Sequence, residues 1–156
     1  MSAKGRRERV GERTSHRRRT LALLACMVLA PHAALAQDPR ATTVQRAARE
    51  WLALVDKQDG EASWKAAGAR LQDSVTMPVW IETIRREREP RGALLQRAVT
   101  GTTFTDSVTG LPQGGTYAVV TFRTSFANQA DSGEELILEV GAGYAWRVIG
   151  YVIARM

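Results

Sequence analysis

Residues 116–126, Thr-Tyr-Ala-Val-Val-Thr-Phe-Arg-Thr-Ser-Phe, decide the fold class. The segment is rich in β-branched and aromatic residues, and apolar and polar residues alternate along it. This period of two predicts a strand with one buried face, at about 116–127. One predicted face carries Ala118, Val120, Phe122 and Phe126, and the other carries Tyr117, Thr121, Arg123 and Ser125.

Segments of the same character lie on both sides of this strand. From Gly92 onward we predict further strands at about 93–105, 134–140 and 144–154. Residues 106–115 form a longer predicted loop, and residues 141–143 (Gly-Ala-Gly) form a short hairpin connection. Four strands in succession with such connections predict an antiparallel sheet.

Before Gly92 the apolar spacing is helical. The first predicted helix starts at Asp38-Pro39 or at Thr42, whose spacing to Gln45 fits a capping box, and ends at Asp59-Gly60. Its apolar stripe contains Val44, Ala47, Ala48, Trp51, Leu52 and Val55.

Three shorter helical segments follow the first helix. We predict a helix at 61–67, one or two turns at 69–75, and a helix that Thr76 caps and that Pro90 and Gly92 end. The last helix has Met77, Trp80, Ile81 and Ile84 on its apolar face, and Glu82 and Arg86 as an ion pair. Helices first and strands second predict an α+β fold, with N-terminal helices packed on one face of a curved four-stranded antiparallel sheet.

Residues 1–36 have the pattern of a cleavable signal peptide. A basic segment is followed by a ten-residue apolar run at 21–30 and by Ala34-Leu35-Ala36, which predicts cleavage between Ala36 and Gln37. The apolar run is too short for a membrane span, which needs about 20 residues. We therefore expect a periplasmic or secreted protein with one α+β domain at 37–156 and no transmembrane anchor after cleavage. Two alternatives stay open: a lipoprotein that starts at Cys26, and twin-arginine export.

The basic charge of the chain belongs to this leader. Residues 1–36 hold eight of the 22 basic and two of the 16 acidic residues, so the remaining 120 residues carry no net charge. A nucleic-acid partner is therefore not expected.

The predicted mature domain contains neither cysteine nor histidine, because Cys26, His16 and His32 all lie in the leader. This excludes disulfides, thiol nucleophiles, Ser-His-Asp triads and the usual zinc ligand sets within residues 37–156. We predict no catalytic, cofactor-binding or metal-binding residue, and no cofactor.

The ordered pattern resembles a family of secreted bacterial proteins known as a domain of unknown function, DUF4019. The resemblance covers nearly all of the predicted mature chain. It lies in residues 48–52 (Ala-Arg-Glu-Trp-Leu), 55–56, 63–67 (Ser-Trp-Lys-Ala-Ala), 80, 88–92 (Arg-Glu-Pro-Arg-Gly), 97, 111–112, 115–117, 121–126, 134–135 and 146–151. Arg91 stands where members usually have leucine.

The resemblance implies an exported single domain, and it implies no activity, cofactor or catalytic residue. It also implies a distant likeness to the cone-shaped folds of the cystatin-like or nuclear-transport-factor-like type.

Four side chains are candidates for a pocket or an interaction site: Trp64, Trp80, Arg97 and Tyr117. Tryptophan can line an apolar pocket, and arginine can hold an anionic ligand. Core packing and ion pairing explain the same residue types, and for Arg97 we favour a structural ion pair. Asp56 with Tyr117 is a further candidate pair for proton transfer.

The sequence favours a non-catalytic module that binds an unknown envelope protein or itself, as in a homodimer. One alternative is a small-molecule binding or sensor domain, with a pocket for an apolar or anionic ligand between helices and sheet. A more remote alternative is an acid–base enzyme that works without histidine.

Overall fold

The computed structural model describes residues 38–156. These residues form helices followed by one antiparallel sheet, which confirms the predicted α+β class. The elements are α1 (Pro39–Asp56), α2 (Gly60–Ala66), α3 (Ala69–Ser74), α4 (Met77–Arg88), β1 (Leu94–Thr105), β2 (Tyr117–Phe126), β3 (Gln129–Val140) and β4 (Trp146–Arg155), with single 3-10 turns at Glu89–Arg91 and Ala142–Tyr144. The predicted signal peptide and its cleavage site lie outside the described residues. None of the helices described is both long and apolar enough to cross a membrane.

Helix α1 begins at the first of the two predicted starts. The Asp38 carboxylate accepts a hydrogen bond from the Arg40 N–H at 2.9 Å, and Pro39 occupies the first helical position. Thr42 therefore lies inside the helix and caps nothing. The predicted apolar stripe is buried at Val44, Ala48, Trp51, Leu52 and Val55.

Helix α4 differs from its prediction in three details. Thr76 occupies the N-cap position, but its side chain makes no capping hydrogen bond. The buried positions of α4 are Trp80, Ile84 and Arg88, which follow one another at intervals of four, whereas Ile81 is 39% exposed. The backbone of α4 at Ile81 is contacted closely by α2, since a Cβ on Gly60 would lie 2.9 Å from the Ile81 Cα. The predicted ion pair of Glu82 with Arg86 is also wrong, because the Arg85 guanidinium binds Glu82 instead.

The sheet has the order β1-β2-β3-β4, and each strand is antiparallel to the next. Strand β3 starts at Gln129, earlier than predicted, because Gln129 already pairs with Phe126 of β2 and Ser132 pairs with Thr124. The helices cover one face of the sheet. The buried β2 side chains are Ala118, Val120, Phe122 and Phe126, as predicted for one face, together with Thr124 and Tyr117.

Candidate functional site: a buried ion cluster

Four charged side chains meet between the helices and the sheet. Asp56 ends α1, Arg88 ends α4, Arg97 lies near the start of β1, and Glu134 lies in β3. Their side chains are 18%, 3%, 9% and 0% exposed, respectively. We call these four residues the ion cluster.

Glu134 is the most enclosed member of the cluster. One carboxylate oxygen accepts hydrogen bonds from Arg88 at 3.2 Å, from Arg97 at 3.1 Å and from the Tyr151 hydroxyl at 2.8 Å. The other oxygen accepts from Arg97 Nε at 2.6 Å and from the Thr124 hydroxyl at 2.5 Å. Both oxygens are therefore surrounded by donors, as a buried carboxylate requires.

Asp56 holds the two arginines from the helical side. Its two oxygens accept from the Arg97 guanidinium at 2.7 and 2.9 Å, which is a bidentate pair. Its Oδ1 also accepts from Arg88 at 2.5 Å. A carboxylate at the C-terminal end of a helix opposes the helix dipole, and the two guanidinium groups offset this unfavourable position.

The cluster is electrically balanced, because two guanidinium groups face two carboxylates. The Arg88 guanidinium also lies over the Phe126 ring, 4.3 Å from its centroid, which adds a cation–π contact in a desolvated position.

The protonation states follow from these contacts. Burial, the largest influence, acts to lower the pKa of Arg97, but hydrogen bonds with Asp56 and Glu134 outweigh it and raise the pKa above the ordinary value. Burial and the nearby Glu134 carboxylate raise the pKa of the Tyr151 hydroxyl well above its usual range. Arg97 therefore stays charged, and Tyr151 stays a hydrogen-bond donor at neutral pH.

The four predicted site residues lie in different environments. Trp64 donates its indole N–H to the Val75 carbonyl at 2.9 Å, and Trp80 donates to the Ser63 hydroxyl at 3.0 Å. The Tyr117 hydroxyl donates to the Pro112 carbonyl at 2.9 Å, under the 106–116 loop. Arg97 belongs to the ion cluster, so the ion pair expected for it is present.

The structure therefore does not bring these four side chains together at one place. Trp80 is linked to the cluster only indirectly: the Trp51 ring lies 5.9 Å from Trp80 and 5.4 Å from Tyr151, which contacts Glu134. The candidate pair of Asp56 with Tyr117 shares no hydrogen bond, since Asp56 binds the two arginines and the Tyr117 hydroxyl binds the Pro112 carbonyl. A ligand-binding role for the four residues stays a prediction.

Sequence reasoning missed Arg88 and Glu134. Arg88 stands among the charged residues 85–91, a composition typical of a solvated helix end, yet it continues the buried series Trp80, Ile84, Arg88. Glu134 shares the two-residue alternation of Leu136 and Leu138, which placed it on the buried face. Each residue thus carried a periodicity signal, but its charge argued for the surface.

Comparison with protein families gives one result. The model of a family described as a protein of unknown function, DUF4019, matches residues 47–151. The chain belongs to the DUF4019 family. All four members of the ion cluster lie inside the region that the DUF4019 model matches. Neither a curated protein nor a solved structure matches the chain, so the likeness to cystatin-like or nuclear-transport-factor-like folds stays a prediction.

No metal site is formed by the part of this DUF4019 protein that the structure describes. Within residues 38–156, no three acidic, histidine or cysteine side chains are grouped so that they could hold a metal ion. The two cluster carboxylates instead face two guanidinium groups, which occupy the positions that a cation would need. The arrangement can fix the relative positions of two helices and the sheet.

Proposed function

We propose that this DUF4019 domain is an exported, non-catalytic module of the cell envelope that binds a protein, either another envelope component or a second copy of itself. The observation that carries the proposal is the ion cluster, which fills the interior between helices and sheet around Arg97, the side chain that an anionic ligand would need. Its carboxylates are paired with guanidinium groups of the same chain, so they are engaged before any partner arrives.

The tryptophans support the same conclusion. Trp51 donates its indole N–H to the Ser63 carbonyl at 2.8 Å, and Trp64 and Trp80 also donate to groups of their own chain. An indole N–H that is committed in this way is not available to orient a ligand. These side chains act as core residues with one polar contact each.

The sensor alternative rests on a groove between α4 and β4. Trp80, Ile84 and Tyr151 line it, and its volume is about 230 Å³. This is below the roughly 300–1,000 Å³ of ordinary small-molecule pockets. Two further grooves, one between α1 and β1 and one between α3 and β4, measure about 440 and 330 Å³, and all three grooves open to solvent. A protein surface is the better fit to an open apolar groove of this size.

The test is cross-linking in the cell envelope of the natural host, followed by mass spectrometry. We expect the chain, starting at Gln37, to be cross-linked to a polypeptide, and we expect native mass spectrometry to show no bound small molecule. A variant without residues 1–36 is the control, because it should stay in the cytoplasm and lose the cross-link. A monomeric chain that retains a stoichiometric small molecule would contradict the proposal.

A further inference from the structure

The two edges of the sheet differ in how well they are protected. Strand β1 forms one edge, and its pairing with β2 is interrupted by β-bulges at Leu95 and Thr100. It also points the charged Arg97 side chain inward. Bulges and inward-pointing charges are devices that keep an edge strand from pairing with another chain.

The first half of the other edge strand, β4, is covered by its own chain. The Gly68 N–H donates to the Val148 carbonyl at 2.8 Å, and a bulge follows at Ile149. A Cβ on residue 68 would lie 2.7 Å from the Ile149 side chain, so this close approach requires glycine.

The second half of β4, residues 150–155, is open. It pairs with β3 without a further register shift, and no main-chain hydrogen bond among residues 38–156 joins it to any other element. Residues 150–154 (Gly-Tyr-Val-Ile-Ala) contain neither charge nor proline, and Val152 is 59% exposed. An uncharged, exposed edge of this length is a template for strand pairing.

A margin of both apolar and polar side chains lies beside this open edge. Thr83 and Glu87 of α4 border the groove together with Val152 and Ile153. Val79, one turn before Thr83 on the same side of α4, is 56% exposed. The margin adds contact area to the short strand, as a stable interface of about 1,200 Å² or more would require.

We propose that residues 150–154 pair antiparallel with the same residues of a second copy, which joins the two sheets into one. The inference rests on the proposed function and names the partner as a second copy. A twofold axis at Val152 places Val152 opposite Val152 of the second copy, Gly150 opposite Ala154, and Tyr151 opposite Ile153. No two charged residues face each other in these pairs, so the segment is compatible with itself.

The test measures the dimer dissociation constant by analytical ultracentrifugation of protein purified from the host envelope. The protein carries no C-terminal tag, because β4 ends at Arg155. We expect wild type to dimerise and Val152→Lys to raise the constant at least about tenfold, since two ammonium groups then face each other. Thr103→Lys is the matched control, because it places the same charge at an exposed position of the bulged edge. It should leave the constant unchanged.

A second measurement covers the case in which Val152→Lys fails to fold. In wild type, hydrogen exchange at the amides of residues 150–154 should slow as the protein concentration rises, while exchange in β1 stays constant. A dimer that survives Val152→Lys, or that Thr103→Lys disrupts equally, would overturn the pairing. A monomeric wild type that is cross-linked to a different envelope protein would overturn the pairing and leave the proposed function standing. A monomeric wild type without any cross-linked polypeptide would overturn both.

Discussion

Replacement of Glu134 by glutamine is the most direct test of the ion cluster. The substitution keeps the size of the side chain and removes its charge. It leaves Arg88 and Arg97 facing a single carboxylate, Asp56, in a region where the Arg88 side chain is only 3% exposed. It also places an amide NH₂ donor among groups that now donate hydrogen bonds to the carboxylate.

The expected loss of stability is large for one isosteric change. Removal of one partner from a buried ion pair costs about 3–5 kcal/mol, because the remaining charge is left without compensation. A domain of this size is stable by about 5–15 kcal/mol in total. We therefore expect the unfolding free energy to fall by about 3–5 kcal/mol, and Tm to fall by on the order of 10–20 °C.

Urea unfolding followed by tryptophan fluorescence measures the effect, because four tryptophans lie in the described domain. The matched control is Asp131→Asn, which neutralises the carboxylate of the exposed Arg123–Asp131 pair. That change should cost less than about 1 kcal/mol. If Glu134→Gln lowers stability no more than the control does, the cluster does not hold the fold as described here.

Three further predictions concern neighbouring features. Gly68→Ala should destabilise the domain by about 1–3 kcal/mol in urea unfolding, because its Cβ would lie 2.7 Å from the Ile149 side chain. The control is Gly141→Ala, whose Cβ would meet its nearest atoms at 3.6 Å, and it should change the unfolding free energy little. Wild type should lose stability between about pH 9 and pH 11, and Tyr151→Phe should lose less over the same range. The reason is that the folded state keeps Tyr151 protonated, whereas the unfolded chain releases that proton near pH ~10. A combined apolar variant should be at least as stable as wild type, because it leaves no buried charge or hydroxyl unpaired. Its six substitutions are Asp56→Leu, Arg88→Met, Arg97→Met, Thr124→Val, Glu134→Leu and Tyr151→Phe. A loss of stability as large as that of Glu134→Gln would contradict this reasoning.

The fold was predictable where one residue type dominated each face. The stripe of α1 and the alternation of β2 both placed apolar residues at regular intervals, and both elements have the predicted buried faces. Strand β3 was predicted too short because its first residues, 129–133 (Gln-Ala-Asp-Ser-Gly), include no β-branched, aromatic or large apolar residue. Their place in the sheet comes from pairing with residues 123–126 of β2 across the two-residue turn at 127–128, which the composition of 129–133 alone does not show.

The candidate site was predictable only in part, for an electrostatic reason. Arg97 was recognised as a paired residue, but its partners Asp56 and Glu134 lie 41 and 37 positions away in the sequence. A single charged residue in an apolar pattern is ordinarily assigned to the surface, because burial of an isolated charge is very costly. The cost of burial is offset when all four charged side chains pair with one another in the folded state. No local segment of the sequence contains more than one of them, so this pairing is not visible in any segment alone.

The position of the cluster gives it a specific structural consequence. Arg97 pairs across the sheet with Thr124, and Thr124 donates a hydrogen bond to Glu134, so the register of β1 and β3 against β2 is tied to the cluster. A slip of β1 by one residue would turn Arg97 to the outer face and place Gln96 or Ala98 under the helices. Asp56 and Glu134 would then lose one of their two guanidinium partners, at a cost like that of Glu134→Gln. An apolar pair at these positions would oppose the same slip through lost burial, at about 1.5–3 kcal/mol per side chain, but it would leave no buried charge unpaired. The ion cluster therefore selects one register of the sheet and joins it to the ends of α1 and α4. A sheet held in one register by its own interior can leave its open edge at residues 150–155 available to a second copy.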